Sequence, residues 1–247
     1  SIAKSFTSYA GIITIALTTF ITRFITIEYH KEHMECANGY YSSSVVACYS
    51  ISIAILLIAM VFVFFLKYLL VIPGSIVSSV KFLFFWIFLQ FCAQTVTTPY
   101  SAAAYVKDRL DLVGIAKIIS HLVEVAVLIV LFKVLPPSVW FVGFGAFIAS
   151  LILAFYNRYL IKKYTPELHF DVSAVRFRYI ADMISKGVWT SLNSLGNVLN
   201  SGLDLVISNR MLSAVQTGQI SIIKSFDSIF SILYVTVFQL FQPRLMQ

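Results

Sequence analysis

The sequence predicts an all-α polytopic membrane protein, and three observations lead to that fold class. Of the 247 residues, 59% are hydrophobic and only 12% are charged, whereas about a quarter of a soluble domain is charged. The apolar residues form continuous stretches rather than an alternating pattern, which favours helices over barrel strands. Seven of these stretches reach the roughly 20 residues that a helix needs to cross a hydrocarbon core of about 30 Å.

The seven predicted spans end at turn or charge signals. In chain order they are 5–27, 44–66, 80–104, 113–135, 138–160, 185–208 and 217–241. The breaks between them include Pro73-Gly74-Ser75, Lys107-Asp108-Arg109, Pro136-Pro137-Ser138 and the polar stretch from Lys162 to Asp182. Pro99 lies inside the third span, and because proline has no backbone N–H it predicts a kink there.

Several function classes lack sequence support. Cys36, Cys48 and Cys92 are too scattered for a disulfide framework. The chain has no Walker loop, dinucleotide fingerprint, nucleophile elbow or histidine box, and His30 and His33 have no companion metal ligands nearby. We therefore expect neither an enzyme nor a bound cofactor or metal. No signal-peptide pattern precedes the first span, and we expect the chain to be part of a longer protein.

The basic residues are distributed unequally between the two ends of the predicted helices. Eleven lie on one side: Arg23, Lys31, Lys107, Arg109, Arg158, Lys162, Lys163, Arg176, Arg178, Lys186 and Arg244. Five lie on the other: Lys4, Lys67, Lys81, Lys133 and Arg210. The net charge of +7 therefore indicates topology rather than nucleic-acid binding. The positive-inside rule places the loops near residues 30, 110 and 170 in the cytoplasm, with the chain start outside and the chain end inside. The loop 161–184 is the most basic, and both binding of anionic headgroups and a purely topological role fit it.

An eight-residue segment occurs twice, 220 residues apart. Ser1-Ile2-Ala3-Lys4-Ser5-Phe6-Thr7-Ser8 returns as Ser221-Ile222-Ile223-Lys224-Ser225-Phe226-Asp227-Ser228, with six of eight residues identical. A chance match in a chain rich in Ile and Ser is the alternative. Six predicted helices make up the interval, so both copies would cross the membrane in the same direction, as in transporters built from two parallel bundles.

The repeat predicts how the chain divides. Residues 1–163 would form an N-terminal six-helix bundle that lacks its first helix, and residues 164–184 a basic cytoplasmic connection. Residues 185–247 would supply the first two helices of a second bundle. The seven spans would then belong to a transporter of twelve or more helices.

The fourth predicted span carries three ionisable residues on one face. Lys117, His121 and Glu124 follow i, i+4, i+7 spacing. Glu124 lies roughly 17 Å from the start of the span, near the midplane. Ionisable groups at this depth are costly, about 3 kcal/mol each, and usually face a cavity or a partner. Glu124 is thus a candidate to exchange H⁺ or Na⁺ as a coupling ion; the alternative is a self-neutralised Lys–Glu pair that only holds helices together.

The sixth predicted span is polar along one side. Its polar residues follow a spacing of four and three: Lys186, Thr190, Asn193, Asn197, Asn200 and Asp204. Successive amides suit hydrogen bonding to sugar hydroxyls, so we predict a water-lined surface here. Interhelical hydrogen bonding through the same amides is the alternative.

Five further residues are predicted to line a cavity or to carry coupling charge. Gln90 and Gln94 share one face of the third span, and Arg23 lies at the cytoplasmic end of the first. In the last span Lys224 and Asp227 are three residues apart. Asp227 is near the midplane and is the second coupling-ion candidate.

Six short sequences together carry a family resemblance. They are Thr22-Arg23-Phe24, Glu35-Cys36-Ala37-Asn38, Pro99-Tyr100, Asp108-Arg109-Leu110-Asp111, Tyr164-Thr165-Pro166-Glu167-Leu168 and Gly187-Val188-Trp189. With them the chain resembles the Wzx-type oligosaccharide flippases of the multidrug/oligosaccharidyl-lipid/polysaccharide exporter superfamily over nearly its whole length. The resemblance implies a MATE-like pair of six-helix bundles around a central cavity, in the bacterial plasma (inner) membrane.

The resemblance also implies a function. Similar proteins move undecaprenyl-pyrophosphate-linked oligosaccharide from the cytoplasmic to the outer leaflet for polysaccharide or O-antigen (lipopolysaccharide) biosynthesis, by cation-coupled alternating access. The expected partners are therefore the lipid-linked oligosaccharide, membrane lipids and H⁺ or Na⁺. The expected cationic cavity would involve Arg23, Lys117, Lys186 and Lys224.

Two alternatives stay open. One is a small-molecule or multidrug cation antiporter of the same superfamily, which predicts an acidic and aromatic cavity. The other is a membrane-embedded glycan polymerase or acyltransferase, which predicts large outer loops or a His/Asp/Arg cluster.

Overall fold

The computed structural model describes residues 2–69, 77–211, 216–227 and 230. Over these residues the chain forms helices and turns, with no strand. In chain order the helices are α1 (Ile2–His30), α2 (Met34–Leu69), α3 (Val77–Thr97), α4 (Ala102–Val106), α5 (Leu110–Val134), α6 (Trp140–Tyr164) and α7 (Phe177–Met211). Residues 216–227 are also helical. The predicted all-α class is confirmed for this part of the chain.

Within the described ranges, four helices are long and apolar enough to cross a membrane. They are Met34–Leu66, Val77–Val106, Leu110–Val134 and Trp140–Tyr164, and they correspond to the second to fifth predicted spans. The first and sixth predicted spans lie within α1 and α7. The last, 217–241, is described only in part, and the predicted break Pro73-Gly74-Ser75 lies outside the described residues.

Two helices begin earlier than the sequence predicts. α2 begins at Met34 rather than 44, and α7 begins at Phe177 rather than 185. The predicted 164–184 connection is therefore too long, because the chain between α6 and α7 covers only residues 165–176. Residues 34–43 and 177–184 are polar enough to be predicted as loops. They form helix because each segment packs on another helix. Met183 of α7 is fully buried in the same core cluster as α2.

The predicted kink occurs at the proline. α3 ends at Thr97, a 3₁₀ turn covers Thr98–Ser101 with Pro99 near its start, and α4 follows. The Thr97 hydroxyl donates to the carbonyl oxygen of Ala93 at 2.7 Å, one turn earlier. The helix is interrupted at this turn, and Tyr100 of the turn lies between α2 and α6.

The helices pack in a definite order across the bundle. α1 packs extensively against α7 on one side and against α2 and α4 on the other. α3 packs against α2 and α6, and α5 packs mainly against α6. In the described part of the chain α5 and α7 share no extensive contact.

Two clusters of buried apolar residues hold these helices together. The larger joins α1, α2, α4, α6 and α7 near the end predicted to be cytoplasmic, and Leu17, Ile21 and Ile25 of α1 are fully buried in it. The smaller joins α2 and α3 toward the other end, around Leu66 and Phe84. The outward faces of α2 and α5 carry large exposed apolar side chains such as Phe64 and Leu122, a surface suited to lipid.

α3 and α6 approach each other closely at Gly143. A Cβ atom added at Gly143 of α6 would lie 2.9 Å from the Cβ of Trp86 and 3.0 Å from the carbonyl oxygen of Leu83. Two residues on, Gly145 faces Leu128 of α5 at 3.3 Å from such a Cβ. Small residues therefore let α6 lie tightly between its neighbours, as is common in membrane bundles.

Candidate functional site

The first site unites two predicted cavity residues that are distant in sequence. Arg23 of α1 and Lys186 of α7 line one pocket of about 130 Å³, together with Phe20, Phe24 and Ile27. Their meeting follows from the extensive packing of α1 on α7. We refer to these five residues as the α1–α7 pocket.

Both cations in the α1–α7 pocket lie over aromatic rings. The Lys186 ammonium is 5.0 Å from the ring centroid of Phe24, and the Arg23 guanidinium is 5.7 Å from that of Phe20. Ring contacts of this kind orient a cation without neutralising it. Neither side chain has a carboxylate partner among the described residues. Both are exposed and remain able to bind an anion.

An aromatic ladder fixes the helices around this pocket. Phe24 stacks on Tyr40 of α2 with ring centroids 4.9 Å apart, and Tyr40 packs on Tyr179 of α7 at 4.4 Å. The Tyr40 hydroxyl also donates to Asp182 at 3.4 Å. Burial, together with a hydrogen bond to Cys36, raises the pKa of Tyr179. Tyr179 lies directly over Gly39, where an added Cβ would collide with its ring.

The polar side of α7 continues from the same pocket. Lys186 and Asn193 are exposed, whereas Met183 and Gly187 are buried toward the bundle. Among the described side chains of this stripe, Lys186 and Asn193 are therefore open to the surroundings. The side chains of Asn197, Asn200 and Asp204 lie outside the described part of the chain.

A second pocket lies between α3, α5 and α6. It has a volume of about 360 Å³ and contains Gln94 and Lys117, both predicted cavity residues. The hydroxyl side chains of Thr97, Thr98, Ser101 and Ser150 also line it. Its other residues are Tyr105, Val113, Leu153 and Asn157. We refer to it as the α5 pocket.

Asn157 is a candidate that the sequence reasoning missed. It is only 3% exposed, and its side-chain oxygen is buried without a hydrogen-bond partner. Such a group costs about 1–3 kcal/mol unless a ligand or water satisfies it. The sequence feature that could have identified Asn157 is that it is a lone amide within the apolar stretch 138–160.

The two other predicted residues of α5, His121 and Glu124, form a pair, and neither lines the α5 pocket. His121 Nδ1 lies 3.1 Å from Glu124 Oε2, with side chains 77% and 23% exposed. The spacing prediction is confirmed in that α5 is helical across Lys117, His121 and Glu124. Glu124, however, pairs with His121 rather than with Lys117.

The structure places the other predicted residues apart from these sites. Gln90 is half-buried on α3 and is not among the lining residues of the two pockets. Lys224 is half-buried and Asp227 exposed in the helical residues 216–227. The predicted residues thus lie in separate groups, because α5 and α7 are not packed together.

The histidines near the α1–α2 turn are held by local partners. His30 Nδ1 lies 2.9 Å from the carbonyl oxygen of Thr26, and His33 Nδ1 lies 3.2 Å from Glu28. Lys31 donates to Glu28 at 3.1 Å, and this contact, with a smaller contribution from His33, lowers the pKa of the Glu28 carboxyl. Together they form a charged turn.

Polar residues at the start of α2 hold the connection between α6 and α7. Asn38 donates to the carbonyl oxygen of Glu167 at 3.1 Å and accepts from the amide of His169 at 3.0 Å. Ser42 accepts from the amide of Asp171, and Ser43 from that of Arg176, both at 3.0 Å. We call these contacts the α2 clasp. Two of the motifs that carry the family resemblance, around residues 35–38 and 164–168, meet in it.

Comparison with known proteins gives one distant relative. No family model matches the chain, and no solved structure matches it. The chain is 27% identical over 236 residues to an uncharacterized membrane protein, EpsK, of Bacillus subtilis strain 168. The chain is a membrane protein. The match covers 96% of the chain and 47% of the relative, so the chain spans about half the length of the relative it matches.

Proposed function

We propose that this chain is part of a transporter that flips undecaprenyl-pyrophosphate-linked oligosaccharide from the cytoplasmic to the outer leaflet. The observation that carries the proposal is the α1–α7 pocket. It brings together Arg23 and Lys186, two exposed cations from distant parts of the sequence, at the end of the bundle predicted to be cytoplasmic.

The chemistry of the α1–α7 pocket suits a pyrophosphate. An arginine presents a fork of donors to phosphate oxygens, and a lysine adds a point charge. Because the two cations rest on Phe20 and Phe24 and not on carboxylates, binding an anion breaks no ion pair. The amide side of α7, which begins with Asn193, provides hydrogen-bonding groups for the attached sugars.

Ion coupling is assigned to α5 in this proposal. The His121–Glu124 pair is a titratable unit that protonation or Na⁺ binding would change, and Asp227 is a second candidate. The α5 pocket contains Lys117, which lies one turn before His121 on the same helix. Gln94 of α3 also lines that pocket. Protonation at Glu124 would therefore change the charge balance beside that pocket.

Two bundles related by a parallel repeat complete the proposed architecture. The relative is about twice as long as the region matched, which fits a transporter of twelve or more helices. Under this proposal residues 1–163 belong to the first bundle and 185–247 to the second. The contact of α1 with α7 is then a contact between bundles.

The charge of the pockets favours an anionic cargo over a cationic drug. The α1–α7 pocket and the α5 pocket contain Arg23, Lys186 and Lys117, and no carboxylate is among their lining residues. An antiporter of cationic drugs would need the opposite charge.

The proposal predicts that neutralising the α1–α7 pocket abolishes transport. The full-length chain carrying Arg23→Gln and Lys186→Gln should fail to restore surface polysaccharide in a strain that lacks the gene. Each lost charge-assisted hydrogen bond is worth about 1.5–3 kcal/mol, so transport should fall by more than about tenfold. The measurement is cell-surface glycan at equal amounts of protein in the membrane.

The matched control neutralises cations elsewhere. Arg109→Gln and Lys163→Gln remove exposed charges that line neither pocket and should leave surface glycan unchanged. Normal glycan with the double variant would contradict the proposal. Loss of drug resistance, with glycan unaffected, in the strain lacking the gene would instead support the antiporter.

A further inference from the structure

The largest of the described cavities lies away from both pockets assigned to transport. It has a volume of about 740 Å³ and is bounded by α2, the 3₁₀ turn at Tyr100, the end of α6 and the connection 165–176. A cavity of roughly 300–1,000 Å³ is large enough for a drug-sized ligand. None of its lining residues belongs to the α1–α7 pocket or to the α5 pocket.

One end of this cavity is cationic. Arg158 and Lys162 lie one turn apart on α6, and His169 faces them from the connection. The guanidinium of Arg158 lies 6.0 Å from the ring centroid of Tyr100. Neither Arg158 nor Lys162 pairs with a carboxylate within the described ranges. Two charges are thus available to an anion.

Another part of the lining is apolar and exposed. Tyr49 and Ile53 of α2 line it and are 42% and 59% exposed. Ile53 is three turns along α2 from Tyr41, roughly 18 Å at 1.5 Å per residue. The lining therefore runs from charged residues at the end of the helices to apolar residues at the depth of the hydrocarbon.

The α2 clasp holds one wall of the cavity in place, because that wall is made by the connection 165–176. Asn38 fixes the backbone of residues 167 and 169, and the following residue, Phe170, lines the cavity beside Leu168. Leu168 is 5% exposed, so this wall is anchored in the core. The cavity is therefore preformed by hydrogen bonds and packing.

We propose that this cavity binds an anionic phospholipid of the leaflet on that side, with the phosphate between Arg158 and Lys162 and the acyl chains along Tyr49 and Ile53. Basic pockets between transmembrane helices on the cytoplasmic side bind anionic headgroups in this way. Tyrosines that combine an apolar ring with a hydroxyl suit the membrane–water boundary. The lipid would bridge α2 and α6, which are joined at this end chiefly through Tyr100 and the connection. The site is independent of the proposed flipping activity.

The test measures lipid binding by the delipidated full-length chain in detergent. Phosphatidylglycerol should raise the unfolding temperature, and phosphatidylcholine with the same acyl chains should raise it much less. In Arg158→Gln plus Lys162→Gln the apparent Kd for phosphatidylglycerol should rise by about tenfold or more, which corresponds to about 1.4 kcal/mol. Lys163→Gln is the control, because Lys163 is the next residue but does not line the cavity.

Three results would overturn the proposal. They are equal protection by both lipids, an equal loss of affinity in the Lys163→Gln control, and full protection by inorganic phosphate without acyl chains. Should the double variant prove unstable, Arg158→Lys keeps the charge and should keep most of the affinity, whereas Arg158→Gln alone should lose it. Unchanged affinity in Arg158→Gln would also contradict the site.

Discussion

Gly143 determines how closely α6 can approach α3. Its missing side chain leaves space that Trp86 and the carbonyl oxygen of Leu83 fill, and a backbone carbonyl cannot move aside as a flexible side chain can. The glycine sits in a stretch whose sequence gives little reason to single it out. The close approach is a property of two helices, and only their contact makes it visible.

Gly143→Ala should therefore destabilise the protein. Overpacking in a tight core costs about 1–3 kcal/mol, so the unfolding temperature in detergent should fall. Gly114→Ala on α5 is the control, since a Cβ there would meet nothing within 4 Å. Alanine is favoured over glycine in a helix by roughly 0.5–1 kcal/mol, so this second variant should be as stable as the parent or more so. The same loss in both variants would contradict the packing explanation.

The residues of the candidate site were predictable to different degrees. Lys117, His121 and Glu124 could be placed on one face because the spacing of a single helix decides it. The meeting of Arg23 with Lys186 could not, because it depends on α1 packing against α7. Asn157 was overlooked because one amide in an apolar stretch is equally compatible with a satisfied structural role.

At the scale of elements, hydropathy located the helices better than it located their ends. The third predicted span agrees within a few residues with Val77–Val106, which contains α3 and α4, and the fourth and fifth spans agree similarly with α5 and α6. α2 and α7 start earlier because their first turns are stabilised by other parts of the chain and not by lipid. Asn38, Ser42 and Ser43 illustrate this. Their polarity suggested a loop, whereas the side chain of each makes a hydrogen bond with the backbone of the connection.

The α2 clasp gives a prediction for the connection. Ser43→Ala removes the acceptor for the amide of Arg176 and should cost about 0.5–1.5 kcal/mol. Hydrogen exchange at the Arg176 amide should become faster. Ser44→Ala is the matched control, because Ser44 is equally buried but its hydroxyl donates only within its own helix, to Tyr41. Unchanged exchange in Ser43→Ala would contradict the clasp.

At the scale of the whole molecule, the turns divide into two sets. The turns near residues 32 and 108 and the connection 165–176 lie at one end of the bundle, and the turn at 135–139 lies at the other. The prediction from the basic residues is that the first set is cytoplasmic. The exposed apolar faces of α2 and α5 agree with a membrane between the two ends.

Cysteine labelling measures this orientation. With the three native cysteines replaced by alanine, Ser138→Cys should react with a membrane-impermeant maleimide in intact cells. Lys107→Cys should react only after the membrane is permeabilised, because it lies at the opposite end. The reverse pattern would invert the topology, and with it the leaflet at which the α1–α7 pocket opens.

The α2 clasp also has a consequence for synthesis. Ser43 and the Arg176 amide are 133 residues apart, and at roughly 5–20 residues per second a ribosome needs about 7–27 s to make that interval. Throughout this time the Ser43 hydroxyl lacks its partner in the connection, although the start of α2 can already pack on α1. The α2 clasp thus cannot close until the chain has been translated as far as Arg176, and it is a late step in assembly of the bundle.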